Sequence, residues 1–527
     1  MNPAVLTMVA ALPIVVVLVL MVAVKWSAAR AGIIAGLIAL VAALTVYDFG
    51  GDGDPFTPVE GVAGVLARAA WVAFTVILII GPALGIHHLQ QRTGATLRLE
   101  AGLARITPDP RVAALLIVWF FTLFIEGAAG FGTPVALAAP FLVAAGFKPV
   151  AAVTAAIVGH TGAVTFGAVG TPTLAQAATS DYSPAELAWA AAPYQVVVGV
   201  VLAIVVARLL GTLIPTHGAP WAWMAIAYVL FFVPFTLIAR FVGPELPGLG
   251  GALVGALAFV ALVQLVQRRR LRAHEPVVAR EDLPASAALE HAEEDLEARM
   301  PASMSMLRAG APYLLLVALV LVTRLVPPLQ DAARSVSVRW EVFGEFSGDI
   351  EPFYHPGLLL LIAFIGGGLI QAAGNDGLKH AFVKATRQLV PVSIALVAMV
   401  TVAFSMSYSG MTDQLALTAA GSGAAWPLFA PAIGALGTFI TGSATASNIL
   451  FTEFQDRTAT EIGLEQLPLL GAQNSGAAIG SVICPHNVVA AAATVGLSGR
   501  EGEVLKRTLP VALVAMLVAG LYALLIS

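Results

Sequence analysis

The sequence predicts an all-α polytopic membrane protein of about 12 transmembrane helices plus two re-entrant hairpins in an inverted repeat, with scaffold and transport domains. Three observations predict it. The chain is 59% hydrophobic and only 11% charged, less than half the roughly 25% of charged residues usual in soluble domains. Apolar runs near 20 residues, long enough to cross a bilayer core of about 30 Å, recur from end to end. Two further apolar stretches, 112–146 and 426–459, are too long for one crossing, and each breaks near its middle at small and polar residues.

The first element is apolar from Val5 to Val24, and its first positive charges, Lys25 and Arg30, follow that run. A secretory signal has the opposite order, so the stretch reads as a first transmembrane helix. Hydropathy places crossings near 4–24, 31–46, 62–86, 149–178, 186–210, 221–242, 248–267, 310–327, 357–373, 390–408, 466–497 and 508–527. The interrupted stretches contain Glu126-Gly-Ala-Ala-Gly-Phe-Gly-Thr-Pro134 and Thr441-Gly-Ser-Ala-Thr-Ala-Ser-Asn448. Positive loops fall on the cytoplasmic side. Lys25 and Arg30, then Arg92, Arg98, Arg105 and Arg111, then Lys148 obey this rule if 112–146 enters and leaves from inside. Both termini are then outside. Fourteen crossings give the same loop sides, but arms of about 12–15 residues fall short of the ~20 that a span needs.

These assignments divide the chain. Residues 1–212 form a first repeat, with hairpin 112–146 and broken helix 149–178. Residues 221–267 supply two additional scaffold helices, and 268–309 are a charged cytoplasmic linker. Residues 310–527 form a second repeat, with hairpin 426–459 and broken helix 466–497. At an offset of about 313 residues the two hairpin tips coincide, and Gly167-Ala-Val-Gly-Thr-Pro172 falls on Gly480-Ser-Val-Ile-Cys-Pro485. The second unit starts on the opposite side from the first. Inverted repeats with interrupted helices near the midplane are the architecture of secondary transporters.

Helices broken inside a membrane leave backbone groups unpaired, at several kcal/mol each, so the breaks need a purpose. Each exposes a half-helix N-terminus worth about half a positive charge, and several together can hold an anion without a cation. No Lys or Arg lies mid-span. Gly130, Gly132, Thr133, Thr171, Thr173, Ser443, Thr445, Ser447, Asn448, Asn474 and Asn487 are therefore the candidate substrate-binding residues. Singly, each could equally serve close helix packing. Glu126, at a hairpin tip, is costly there as an unpaired carboxylate, which suits a proton carrier or a backbone cap. His160 and His486, in the broken helices, are candidates for proton coupling or substrate contact, against a structural role as buried donors. Asp413 opens the segment before the second hairpin, where capping competes with transport chemistry.

Enzyme signals are missing from the sequence. There is no Gly-Lys-Ser/Thr phosphate loop and no His-Glu-x-x-His motif. Gly51-Asp-Gly-Asp54 beside Pro55 reads as an acidic turn, and the single Cys484 excludes an intrachain disulfide or a cysteine metal cluster. No cofactor and no nucleic-acid partner are expected; the surroundings are lipid.

Five segments, Glu126–Pro134, Phe166-Gly-Ala-Val-Gly-Thr-Pro172, Tyr408-Ser-Gly-Met411, Gly442-Ser-Ala-Thr-Ala-Ser-Asn448 and Gly471-Ala-Gln-Asn-Ser-Gly476, closely resemble the lactate permease family over nearly the whole length. The resemblance implies import of lactate, glycolate or another short 2-hydroxy monocarboxylate with a proton across a bacterial inner membrane. The paired-hairpin layout is also similar to that of divalent-anion symporters, which implies elevator motion and a homodimer. A sodium-coupled organic-anion symporter is the competing reading, since carbonyls and hydroxyls at the breaks could hold Na⁺.

Overall fold

The computed structural model describes residues 2–24, 26–51, 53–104, 106–107, 109–130, 132–213, 218–272 and 304–527. Lys25, Arg105 and most of the predicted 268–309 linker therefore lie outside the described residues. The chain opens with α1 (Pro3–Val22), α2 (Ala28–Val46) and α3 (Pro58–Thr93). A capping box between Thr57 and Glu60 starts α3, and Gly94, at φ 73°, ends it. At 36 residues it is about 54 Å long and overshoots the bilayer core. After α4 (Ala95–Ala104) comes the first interrupted stretch, α5 (Pro110–Ala128) and α6 (Thr133–Ala144). The broken helix follows as α7 (Pro149–Val164) and α8 (Gly167–Ala177), bent by 49°. Next are α9 (Pro184–Leu210), α10 (Trp221–Phe241) and α11 (Pro247–Arg272).

The second half begins with α12 (Ala311–Leu325), which turns by 91° into α13 (Pro327–Arg334). A β-hairpin, β1 (Val338–Val342) against β2 (Phe346–Ile350), pairs Val338 with Ile350 and Val342 with Phe346. Then come α14 (Pro356–Ile370), α15 (Gly374–Tyr408) and α16 (Met411–Ala420). The second interrupted stretch is α17 (Trp426–Thr441) and α18 (Ala444–Ile462), the second broken helix is α19 (Gln466–Gly480) and α20 (Pro485–Thr494), and α21 (Glu501–Ile526) closes the chain. Among the described residues eleven helices are long and apolar enough to cross a membrane, or thirteen if each bent pair is one span.

Three differences from the sequence reading have clear causes. The β-hairpin was hidden because its strands are five residues each; its turn uses left-handed backbone at Phe343 and Gly344, φ 55° and 73°, and Phe346 is fully buried against Gly64 of α3. The hairpin arms are longer than 12–15 residues in three cases: α5 spans 19 residues because Asp109 caps it early, α17 spans 16, and α18 spans 19 with a polar outer end. Length alone therefore does not separate α5 from a crossing. Finally, α10 and α11, read as scaffold helices, pack on α9 and α5. They share one apolar cluster with the first hairpin, both broken helices and Ala430 of α17, whereas α1, α2, α3 and α15 form another that also takes in Ala175 of α8 and Ile440 and Ile449 of the second hairpin. Aromatic stacking explains this: Phe231, Phe232 and Phe235 of α10 meet Trp119 and Phe166 of the first repeat.

Close helix approach rests on small residues. A Cβ on Gly476 of α19 would strike the Pro431 carbonyl of α17, and one on Gly159 of α7 would strike the Val118 carbonyl of α5. Small residues at such crossings let membrane helices pack by backbone contact, where lipid gives no hydrophobic drive.

Candidate functional site

All four breaks are local consequences of sequence. In the first hairpin the Ile125 carbonyl accepts from the Ala129 and Gly130 amides, and the chain reverses through Gly130 and Gly132 at φ 57° and 76°. Only glycine takes these values without steric cost. In the second hairpin Gly442, at φ 75°, ends α17. Ser443 then caps α18, its Oγ accepting from the Ala446 amide at 3.3 Å. The first broken helix carries Ala168, Val169 and Gly170 in succession at φ 43°, 57° and 81°. Two residues with side chains in this region cost about 1–3 kcal/mol each, which points to a functional constraint. In the second broken helix 481–484 leave the helical path, and α20 restarts at Pro485 behind Cys484.

The four breaks bound one cavity of about 450 Å³, its mouth included. The first hairpin contributes Glu126, Gly130 and Gly132, and the first broken helix contributes His160, Gly167 and Thr171. From the second hairpin come Thr438, Gly442, Ser443 and Thr445, and from the second broken helix Ser481 and Asn487. The N-terminal ends of α6, α8, α18 and α20 thus face a common space. Partial positive charge at each end makes it attractive to an anion. Among the described residues no Lys or Arg lines it.

Glu126 is 4% exposed, with Oε1 pressed against Gly167. Among the described residues it has no hydrogen-bond or ion-pair partner. His160 is 1% exposed, and its Nδ1 lies 3.2 Å from the Ala156 carbonyl.

Other predicted residues stand behind the wall. Thr173 donates to the Thr165 carbonyl at 2.9 Å and accepts from Asn474 at 2.8 Å. Asn448 donates to the Pro172 carbonyl and to Asn474, both at 3.1 Å. Ser447 donates to the Gly434 carbonyl at 2.7 Å. This network ties the second hairpin to both broken helices. Thr133 begins α6 with its amide on the Gly130 carbonyl. His486, expected as a buried group, is exposed at the start of α20, beside Gly132 and Gly442 of the two hairpin tips. Asp413 is no cap: Gly410 holds that position, and Asp413 is half exposed and pairs with Arg457 at 3.3 Å.

The sequence reading missed Thr438 and Ser481 in the wall and three buried glutamines behind it. Gln176 donates to the Leu470 carbonyl, Gln473 approaches Ser447 and Asn448, and Gln455 joins Trp426 to the Ala430 carbonyl. The available signal was an amide within an apolar stretch, since a buried amide must find partners. Among the described residues no three His, Cys, Asp or Glu side chains gather as metal ligands.

A bundle of apolar helices with four interrupted at one buried cavity defines a multi-pass membrane transporter. Comparison with known proteins makes this specific. The sequence profile of the L-lactate permease family matches residues 6–347 and 343–527; the chain belongs to that family. An L-lactate permease of Bacillus subtilis (strain 168) is 27% identical over 507 residues, 90% of this chain and 87% of that protein. Glycolate permease GlcA of Escherichia coli (strain K12) is 29% identical over 478 residues, 85% of this chain and 83% of that one. Among solved structures, MtrF of Neisseria gonorrhoeae, described as one of a class of antimetabolite efflux pumps, has a TM-score of 0.51 at 14% identity, covering 95% of this chain and 94% of that chain. The YdaH transporter of Alcanivorax borkumensis has a TM-score of 0.50 at 16% identity, covering 95% and 98%. Both likenesses concern the fold alone.

Proposed function

We propose that this protein imports lactate, glycolate or a closely related short 2-hydroxy monocarboxylate together with a proton. One observation carries the reading: among the described residues, four helix N-termini and one unpartnered carboxyl, Glu126, share a cavity with no cation in its wall. The helix ends and the hydroxyls of Ser443 and Thr445 take the substrate carboxylate, while the Thr171 hydroxyl already donates to the Ala168 carbonyl, and Glu126 carries the proton. His486 and Asp413, one exposed and the other already paired, fit that role less well. The cargo is that in the names of the relatives, L-lactate and glycolate permeases.

The two apolar clusters, one holding the first hairpin and most of both broken helices and the other built on α1, α2, α3 and α15 and reaching the moving elements at Ala175, Ile440 and Ile449, favour motion of the first against the second. The cavity would then face alternate sides of a bacterial inner membrane, with both termini outside and two copies forming the assembly. The test is uptake of radiolabelled lactate into proteoliposomes under an inward proton gradient. Uptake should rise with the gradient and collapse when an ionophore dissipates it. Uptake that ignores the gradient but stops when Na⁺ is replaced by choline would refute proton coupling.

A further inference from the structure

We infer that His160 sets the specificity of this cavity, its Nε2 accepting a hydrogen bond from the 2-hydroxyl of the cargo; the inference rests on the monocarboxylate reading above. His160 sits in α7 near the break and lines the cavity. Its Nδ1 is 3.2 Å from the carbonyl of Ala156, one turn back on the same helix. A carbonyl only accepts, so Nδ1 carries the hydrogen. A neutral imidazole has a single N–H, and Nε2 is then left with a bare lone pair. Among the described residues no donor is hydrogen-bonded to it.

The donor inventory of the wall sharpens this. Helix-end amides and hydroxyls from Ser443 and Thr445 can satisfy a carboxylate, which offers acceptors only. A carboxylate cannot satisfy Nε2. The group that matches a buried acceptor beside a carboxylate site is an O–H on the neighbouring carbon. Glycolate and lactate, the cargoes in the names of two relatives, share this arrangement and differ by one methyl. A monocarboxylate without the hydroxyl would leave Nε2 desolvated and unpaired, and an unpaired buried acceptor is penalised more than a formed bond is rewarded. A cationic His160 would behave differently. It would donate from Nε2 to the carboxylate, and the hydroxyl would be irrelevant.

The experiment is competition against radiolabelled lactate uptake by the full chain in proteoliposomes. Two competitors are used: propionate, which lacks the hydroxyl, and 2-methoxypropionate, which keeps the oxygen but not its hydrogen. Both should compete about tenfold less well than unlabelled lactate, as expected for one unsatisfied buried acceptor. In His160→Met the lactate-to-propionate ratio should fall to within about twofold of unity, with propionate transport retained, and His160→Gln, which restores an acceptor oxygen, should recover part of it. A ratio unchanged in His160→Met overturns the inference. Equal competition by 2-methoxypropionate and lactate on the unsubstituted protein overturns it too, and that arm stands even if the variant fails to fold. Should the unsubstituted protein take up neither lactate nor propionate, the cargo reading falls and this inference with it; normal lactate uptake with no discrimination against either analogue sinks the inference alone.

Discussion

Glu245, between α10 and α11, and Arg324, in the last turn of α12, form an ion pair with side chains 5% and 4% exposed. Arg324 Nη2 donates to Glu245 Oε1 at 2.6 Å and to the Tyr354 carbonyl at 2.9 Å, and its guanidinium lies 3.5 Å from the Tyr354 ring centre. Yet Glu245 Oε2 and Arg324 Nη1 are buried with no hydrogen-bond partner. A pair with one dangling polar atom on each side recovers little more than its desolvation cost, whereas removing one partner strands a buried charge at about 3–5 kcal/mol. Glu245→Gln and Arg324→Leu should therefore each destabilise by about 3–5 kcal/mol, while the double variant loses about 1 kcal/mol or nothing. The coupling in a double-mutant cycle is then at least about 5 kcal/mol. Thermal unfolding in detergent reads this directly. At about 2 °C per kcal/mol or less in a chain of this size, each single variant should drop by on the order of 5–10 °C and the double by under about 2 °C. Additive drops would refute the argument, because they would mean that the two groups contribute independently and the ion pair is incidental.

Three further outcomes follow from other sites. His355, in the connection ahead of α14 and outside the spans, is pushed down to about 4 by burial and then by the nearby Arg324 charge; the unfolded chain binds its proton first, so stability should fall by about 2–3 kcal/mol as pH drops from 6.5 to 4, and His355→Asn should flatten that limb of the unfolding curve. Gly476→Ala should cost about 1–3 kcal/mol, since the added methyl meets the Pro431 backbone, while Gly502→Ala, with open space around it, should be neutral in the same unfolding assay. Glu126→Gln should abolish gradient-driven net uptake while leaving lactate-for-lactate exchange intact; loss of neither would remove Glu126 from the proposed coupling.

Most of the helix pattern was legible because membrane spans announce themselves by length and apolar content. Both hairpin turns and both breaks were legible as well, because Gly130, Gly132, Gly170 and Gly442 mark places where the backbone leaves the helical region, and Pro485 marks the restart of the second broken helix. Side-chain placement was less so. His486 and Asn487 are adjacent, yet one is exposed and the other lines the cavity, a difference set by the angle at which α20 leaves Pro485. Gln176 and Gln473 gave no turn signal, since glutamine is an ordinary helix former; only tertiary packing brings them together. The partner of α10 and α11 was illegible for the same reason: all-round apolar helices do not say which neighbour they face.

The absence of a cation from the cavity wall bears on how coupling would work in the proposed cycle. Four helix ends at about half a charge each suit a resident negative charge, and a wall whose described residues include one ionisable carboxyl, Glu126, allows two ways of supplying it. With cargo bound, the carboxylate of the substrate occupies the helix ends and Glu126 holds the proton. With the cavity empty, an ionised Glu126 takes the same place. Loaded and empty forms then carry equal charge, so the inward and outward steps cancel and a full cycle moves no net charge against the membrane potential, which would otherwise oppose anion entry by about 2.3 kcal/mol per 100 mV. A basic residue in the wall would break that equivalence by neutralising the cargo without a proton. This is why Glu126→Gln separates exchange from net uptake: the loaded form keeps its single charge, but the empty form loses the anion that lets it return.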